Sequence, residues 1–190
     1  MMNVKLPALV GICGNPKSGK SLVQTMLESF FSYTPVDDGL ALRNFCMNEL
    51  GLKWEEVYSQ EGKLEHTVIL GKRWQNRDLL GSLGKQLEDM FGEHIMPFIA
   101  TRNLDSNKIH SFGSVRKTQG AFYRERGGII IEIVNPDAAP SGYDFDEYDK
   151  SVVTCSILND GLYRGLSSEA ALTDLEEKVI LAINDNLVAC

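Results

Sequence analysis

The sequence predicts an α/β layered domain built on a mostly parallel sheet. Three observations predict it. Apolar runs from Ala8 to Cys13 and in "IIIEIV" (129–134) read as strands buried on both faces, as parallel sheets require. Stretches of helical spacing separate the strand candidates, and that alternation favours helices layered on a sheet. The chain has 190 residues, 43% of them hydrophobic, which is enough for one well-buried core, so 1–190 is read as a single domain.

The elements follow in order. Ala8 to Cys13 is the first strand. From Gly19 to Phe31 the apolar positions Leu22, Val23, Met26, Leu27, Phe30 and Phe31 keep helical spacing. "YTPV" is a short second strand ending at Asp37 and Asp38. Leu40 to Leu50 reads as a helix that Gly51 stops. Residues 52–76 show no sustained period and are expected to be a mobile, substrate-binding or lid-like excursion. "RDLLGSLGKQLEDMF" is helical, and "IMPFIA" continues it after a break at Pro97. "KIHSFG" is a third strand candidate, and "VRKTQGAFYRERGG" a helix ended by Gly127 and Gly128. "IIIEIV" is β-branched except for Glu132 and is the clearest strand. "NPDAAPSGYDFDEYD" is a turn-rich acidic loop, and "SVVTCSIL" the fifth strand. Leu172, Leu175, Val179, Ile183 and Leu187 mark an amphipathic C-terminal helix.

Composition excludes several classes. A net charge of -7 makes a nucleic-acid backbone a poor partner, since such partners want a basic face. No apolar run approaches the roughly 20 residues of a membrane span. Cys13, Cys46, Cys155 and Cys190 lack metal-type spacing and read as reduced thiols in a cytoplasmic protein. His66, His94 and His110 share no spacing that suggests a metal site or a triad.

"GNPKSGKS" carries the chemistry. Gly14, Gly19, Lys20 and Ser21 fit G-x-x-x-x-G-K-[ST] without a mismatch. In that pattern, glycines let backbone N–H groups close around phosphates, the lysine reaches the β- and γ-phosphates, and the hydroxyl takes Mg²⁺. A buried strand before it and an amphipathic helix after it are the context the motif needs. Asn15, Lys17 and Ser18 complete the candidate phosphate loop, with Ser21 the candidate metal ligand. ATP and Mg²⁺ are therefore expected, and the absence of an NKxD stretch favours adenine over guanine.

An acceptor needs cations in line with the γ-phosphate. Arg77 heads the helix "RDLLGSLG", and Arg116 follows the third strand on the side where open sheets bind ligands. Asp37 and Asp38 end the second strand; they suit either an acceptor or magnesium through water, or a helix N-cap. Trp74 suits a base stack or a core contact.

Taken together, "GNPKSGKS", "DDGLALR", "WQNRDLLGSLG", "SVRKTQGAFYRERGGIIIEIVNP" and "SILNDGLYRGL" resemble the successive blocks of bacteriophage-type deoxynucleoside monophosphate kinases. The family's arginine-leucine-leucine-glycine block matches at Arg77, Leu79, Leu80 and Gly84. Its valine-arginine pair matches at Val115 and Arg116, and its glycine pair at Gly127 and Gly128. The resemblance implies a three-layer P-loop NTPase fold of the nucleoside monophosphate kinase type, with a central five-stranded sheet. It implies γ-phosphoryl transfer from ATP to a dNMP, in the host cytoplasm if phage-encoded, by a possible homodimer. Lys20, Arg116 and Asp38 would then be catalytic, and Asp37, Asp38, Arg43, Trp74, Arg77 and Arg116 would hold the substrate. Two departures stand out. Ser114 replaces an expected acid, which leaves Asp37 or Asp38 to serve magnesium, and Gln119 and Gly120 stand where a second acid is expected. The alternative readings are a P-loop kinase with another acceptor, such as a small metabolite or a modified base in DNA, and a nucleotide-binding regulator without catalysis.

Overall fold

The computed structural model describes residues 4–140, 142 and 146–189, so Cys190 and part of the acidic loop lie outside the described residues. The chain divides into two units: a sheet unit of 1–37 with 104–190, and a helical unit from Asp38 to Asn103.

The sheet unit opens with the short strand β1 (Val4–Lys5), followed by β2 (Leu9–Cys13), helix α1 (Lys20–Phe31) and β3 (Thr34–Val36). The helical unit follows. It comprises α2 (Leu40–Asn48), α3 (Trp54–Tyr58), α4 (Gln60–Leu64), the hairpin β4 (His66–Ile69) and β5 (Lys72–Gln75), α5 (Asn76–Phe91) and α6 (Ile95–Thr101). The chain then returns to the sheet unit with β6 (His110–Phe112), α7 (Gln119–Arg124), β7 (Ile129–Val134), a 3₁₀ turn (Lys150–Val152), β8 (Cys155–Leu158), α8 (Ser168–Asn184) and β9 (Val188–Ala189).

The main sheet has the order β3-β6-β2-β7-β8, and every neighbouring pair is parallel. Val10 and Ile12 point to one face, where Val23 and Leu27 of α1 and Leu175, Val179 and Ile183 of α8 complete a buried cluster. Gly11 points to the other face, against Ile130, Val115 and Tyr123 of the α7 side. Helices therefore cover both faces, as an all-parallel sheet demands. This is the three-layer α/β architecture with a central parallel five-stranded sheet that the sequence predicts. β1 and β9 add a small antiparallel pair that the sequence pattern does not reveal.

The helical unit has its own core of Cys46, Leu52, Val57 and Leu79. Its fully buried Asn76 is satisfied at each end: Nδ2 donates to the Gly62 carbonyl (2.8 Å) and Oδ1 accepts from Thr67 (2.8 Å). Residues 52–75, in which the sequence shows no sustained period, form α3, α4 and the hairpin. Elements of four or five residues are too short for a period to register. The hairpin turn at Leu70-Gly71 places both residues at positive φ (50° and 78°), a geometry normally announced by Asn-Gly.

Two further expectations are corrected. The break between α5 and α6 falls at Gly92 (φ 91°), not at Pro97. Pro97 sits in the first turn of α6, where a missing N–H breaks no intrahelical bond. The helix expected from Val115 starts only at Gln119, because residues 115–118 are irregular, with Lys117 at φ 44° and bridged to Tyr148.

Glu132 is the one charged residue within β7, and it is buried. It accepts from Tyr148 (2.6 Å) and Ser156 (2.7 Å) and lies 3.3 Å from the Lys150 ammonium. Burial pushes its carboxyl up, but these donors outweigh that and hold it below the ordinary glutamate value. A depressed carboxylate contributes stability that is complete above its unfolded pKa and lost as pH falls through the folded one. Glu132→Gln is thus expected to cost about 1–3 kcal/mol at pH 7 and progressively less as pH falls below the ordinary glutamate value and through the depressed one. Denaturant titrations at pH 7 and through the acid range check this.

Candidate functional site

The loop between β2 and α1 is built by close approach. Gly14 has φ 138°, and a Cβ there would strike the Ile133 carbonyl of β7 and lie 2.9 Å from Ser18 Oγ. Gly19 (φ 105°) caps α1, and Lys17 also takes positive φ (66°). The loop closes on itself through Ser18 N–H to the Asn15 carbonyl (3.1 Å). Two neighbours staple it from outside. Asn15 Nδ2 donates to the Ala138 carbonyl after β7 (2.9 Å), and Asn159 Nδ2, just after β8, donates to the Ser18 carbonyl (2.9 Å). Asn159 is held in turn because Lys178 of α8 binds its neighbours, the Leu158 carbonyl (2.7 Å) and the Asp160 carboxylate (2.9 Å).

The residues fit a phosphate chain. The first turn of α1 has no acidic residue and no side-chain cap, so its positive end is open to an anion. Ser18 is fully buried, and its hydroxyl has no hydrogen-bond partner among the described residues. A buried hydroxyl without a partner is costly, and a ligand oxygen would relieve it. Lys20 Nζ reaches back over the loop to the carbonyls of Gly14 (2.7 Å) and Asn15 (2.8 Å). Burial holds its pKa below the ordinary lysine value; the positive charge of Arg116 lowers it further and the carboxylate of Asp146 opposes this.

Arg116 therefore belongs to the same electrostatic site as Lys20. It follows β6, which lies beside β2, so both residues leave the carboxyl ends of adjacent parallel strands. Its Nε donates to Ser114 Oγ (3.0 Å) and its backbone N–H to the Gln119 side chain (3.2 Å). Ser114 and Gln119, read from the sequence as lost acids, thus both bond to Arg116. Asp37 follows β3 in the same unit.

The other expected residues lie in the helical unit. Gly39, not either aspartate, caps α2, and Asp38 precedes it. The Arg43 guanidinium lies 4.9 Å over the Tyr58 ring. Arg77 Nη2 donates to Gln60 (3.2 Å). Trp74 packs on the unit's core, with the Lys72 ammonium 3.9 Å above its ring. Three residues at the loop were not foreseen: Asn159, Asp146 and Tyr148. Asp146 lies in a stretch whose acidity alone reads as a solvated loop.

No family model matches the chain, and no curated protein matches its sequence. Several solved structures are similar in fold, among them these three. Shikimate kinase from Aquifex aeolicus aligns over 94% of this chain and 97% of its own at 13% identity and a TM-score of 0.42. TT1252 from Thermus thermophilus aligns over 94% and 98% at 19% identity and 0.45. A gluconokinase from Sinorhizobium meliloti aligns over 95% and 96% at 12% identity and 0.41. Likenesses at this level identify neither an acceptor nor a reaction. No described helix is long and apolar enough to cross a membrane.

Gly14→Ala tests the cradle. The strained φ and the blocked approach to Ile133 are expected to cost about 1–3 kcal/mol of stability and to abolish ATP binding where the fold survives. Thermal unfolding and calorimetric titration with MgATP measure the two effects separately.

Proposed function

We propose that this chain is a kinase that transfers the γ-phosphoryl group of ATP to a deoxynucleoside 5′-monophosphate. The observation that carries the proposal is the placing of Lys20 and Arg116 beyond the carboxyl ends of two adjacent parallel strands, at a helix whose first turn has no acidic residue. Phosphoryl transfer needs cations set around the γ-phosphoryl and an acceptor held in line, with little covalent chemistry from the protein.

In this reading Gly14, Asn15, Lys17, Ser18 and Gly19 wrap the donor phosphates through the loop backbone. Lys20 exchanges its two carbonyl partners for phosphate oxygens. Ser21 would hold magnesium, which would supply neutralisation of phosphate charge. Arg116 faces the transferred group. The acceptor is already anionic at its attacking oxygen, so no general base is required. The nucleotide acceptor is supported by the order of the five blocks from "GNPKSGKS" to "SILNDGLYRGL". By the same resemblance Asp37, Asp38, Arg43, Trp74 and Arg77 hold it.

A coupled ADP-release assay with each dNMP in turn tests the proposal. Turnover is expected with at least one. ATP binding without turnover of any dNMP would overturn it. Lys20→Ala is expected to lower kcat by about 10³-fold or more with the fold kept. Arg77→Ala and Arg116→Ala are expected to raise KM for the dNMP or lower kcat while KM for ATP changes little. An unchanged dependence on dNMP would make them surface charges.

A further inference from the structure

If Arg116 is to serve a transferred phosphoryl group, something must hold its guanidinium at the cradle. The expected acid two residues before it is Ser114, which offers only a neutral oxygen to Nε. The negative charge comes from elsewhere. Asp146, on the loop between β7 and β8, places Oδ1 3.7 Å from Arg116 Nη2, and its side chain is only 14% exposed.

The position of Asp146 is set from two directions. Its own segment is laced to the turn that carries Arg116: Lys117 N–H donates to the Glu147 carbonyl (2.6 Å), Asp149 N–H donates to the Lys117 carbonyl (2.9 Å), and Lys117 and Tyr148 form a parallel bridge. The same segment is tied to the sheet through the Tyr148 hydroxyl on Glu132 (2.6 Å). A cavity of about 400 Å³ is lined by Asp146, Glu147 and Tyr148 together with Asn15 and Pro16 of the phosphate loop. Asp146 therefore lines the same cavity as the phosphate loop while facing Arg116.

The geometry points to Asp146 as the positioning residue for Arg116, supplying from a later loop the carboxylate that Ser114 lacks. With Ser114 it forms a two-point hold, a neutral hydrogen-bond acceptor on Nε and an ion-pair partner 3.7 Å from Nη2. Arg116 is 38% exposed, so the pair contributes little to stability, and its effect lies in where the guanidinium points.

The role rests on the kinase reading for its catalytic consequence but not for its structural one, and the test separates them. In the free protein, the Arg116 Nε–H resonance, assigned as the signal lost in Arg116→Lys, is expected to be sharp. It is expected to broaden or shift to the solvent-exposed arginine region in Asp146→Asn and to be retained in Asp146→Glu. An unchanged signal in Asp146→Asn would overturn the inference. With a dNMP that the wild type turns over, Asp146→Asn is expected to lower kcat about 10- to 100-fold with KM for ATP within about two-fold. Ser114→Asp in the Asp146→Asn background is expected to recover part of that loss. Full activity in Asp146→Asn would also overturn the inference. If the wild type turns over no dNMP while the Arg116 signal still depends on Asp146, the substrate reading falls and the positioning role stands.

Discussion

The contact on which the site depends is the approach of Gly14 to the Ile133 carbonyl. β2 is the middle strand of an all-parallel sheet, paired with β6 on one side and β7 on the other. Its last residue, Cys13, pairs with Glu132, so the chain must turn out of the sheet directly beneath the end of β7. Only a residue without a side chain can do so at positive φ. From that turn follow the tight loop, the start of α1 at Lys20 and the reach of Lys20 back over the loop. It also brings Asn15 within bonding distance of Ala138, and Ser18 within bonding distance of Asn159.

Charge is arranged against the composition. The chain is acidic as a whole, with a net charge of -7, yet the loop mouth gathers Lys20 and Arg116 and has no acid in the first turn of α1. Carboxylates near the site are engaged with cations or hydroxyls. Glu132 takes Tyr148, Ser156 and Lys150, and Asp146 faces Arg116. Burial also pushes the Cys13 thiol up to about 12, which leaves it an inert part of the strand end. A bound phosphate chain would therefore meet cations and amides first.

How much of this the sequence discloses depends on the range of each interaction. Strands buried on both faces and helices of three or more turns are local patterns, so β2, β7, α1, α5 and α8 are legible from the residues alone. The loop motif is equally local, since its chemistry lies in eight consecutive positions. The hairpin at 66–75 is not legible, because Leu70-Gly71 adopts a turn without the usual Asn. The pairing of Arg116 with Asp146 is hidden for a different reason. It joins residues 30 positions apart through a backbone ladder that no composition reveals, and Ser114 then reads as a loss when it is half of the arginine's hold.

The central claim is that the Gly14–Ser21 loop delivers a phosphoryl group to a nucleotide. It is tested most directly by following label from [γ-³²P]ATP in the presence of each dNMP and separating the products. The account expects label in the deoxynucleoside diphosphate, dependent on Lys20. Label found only in ATP and inorganic phosphate, with every dNMP unchanged, would contradict it.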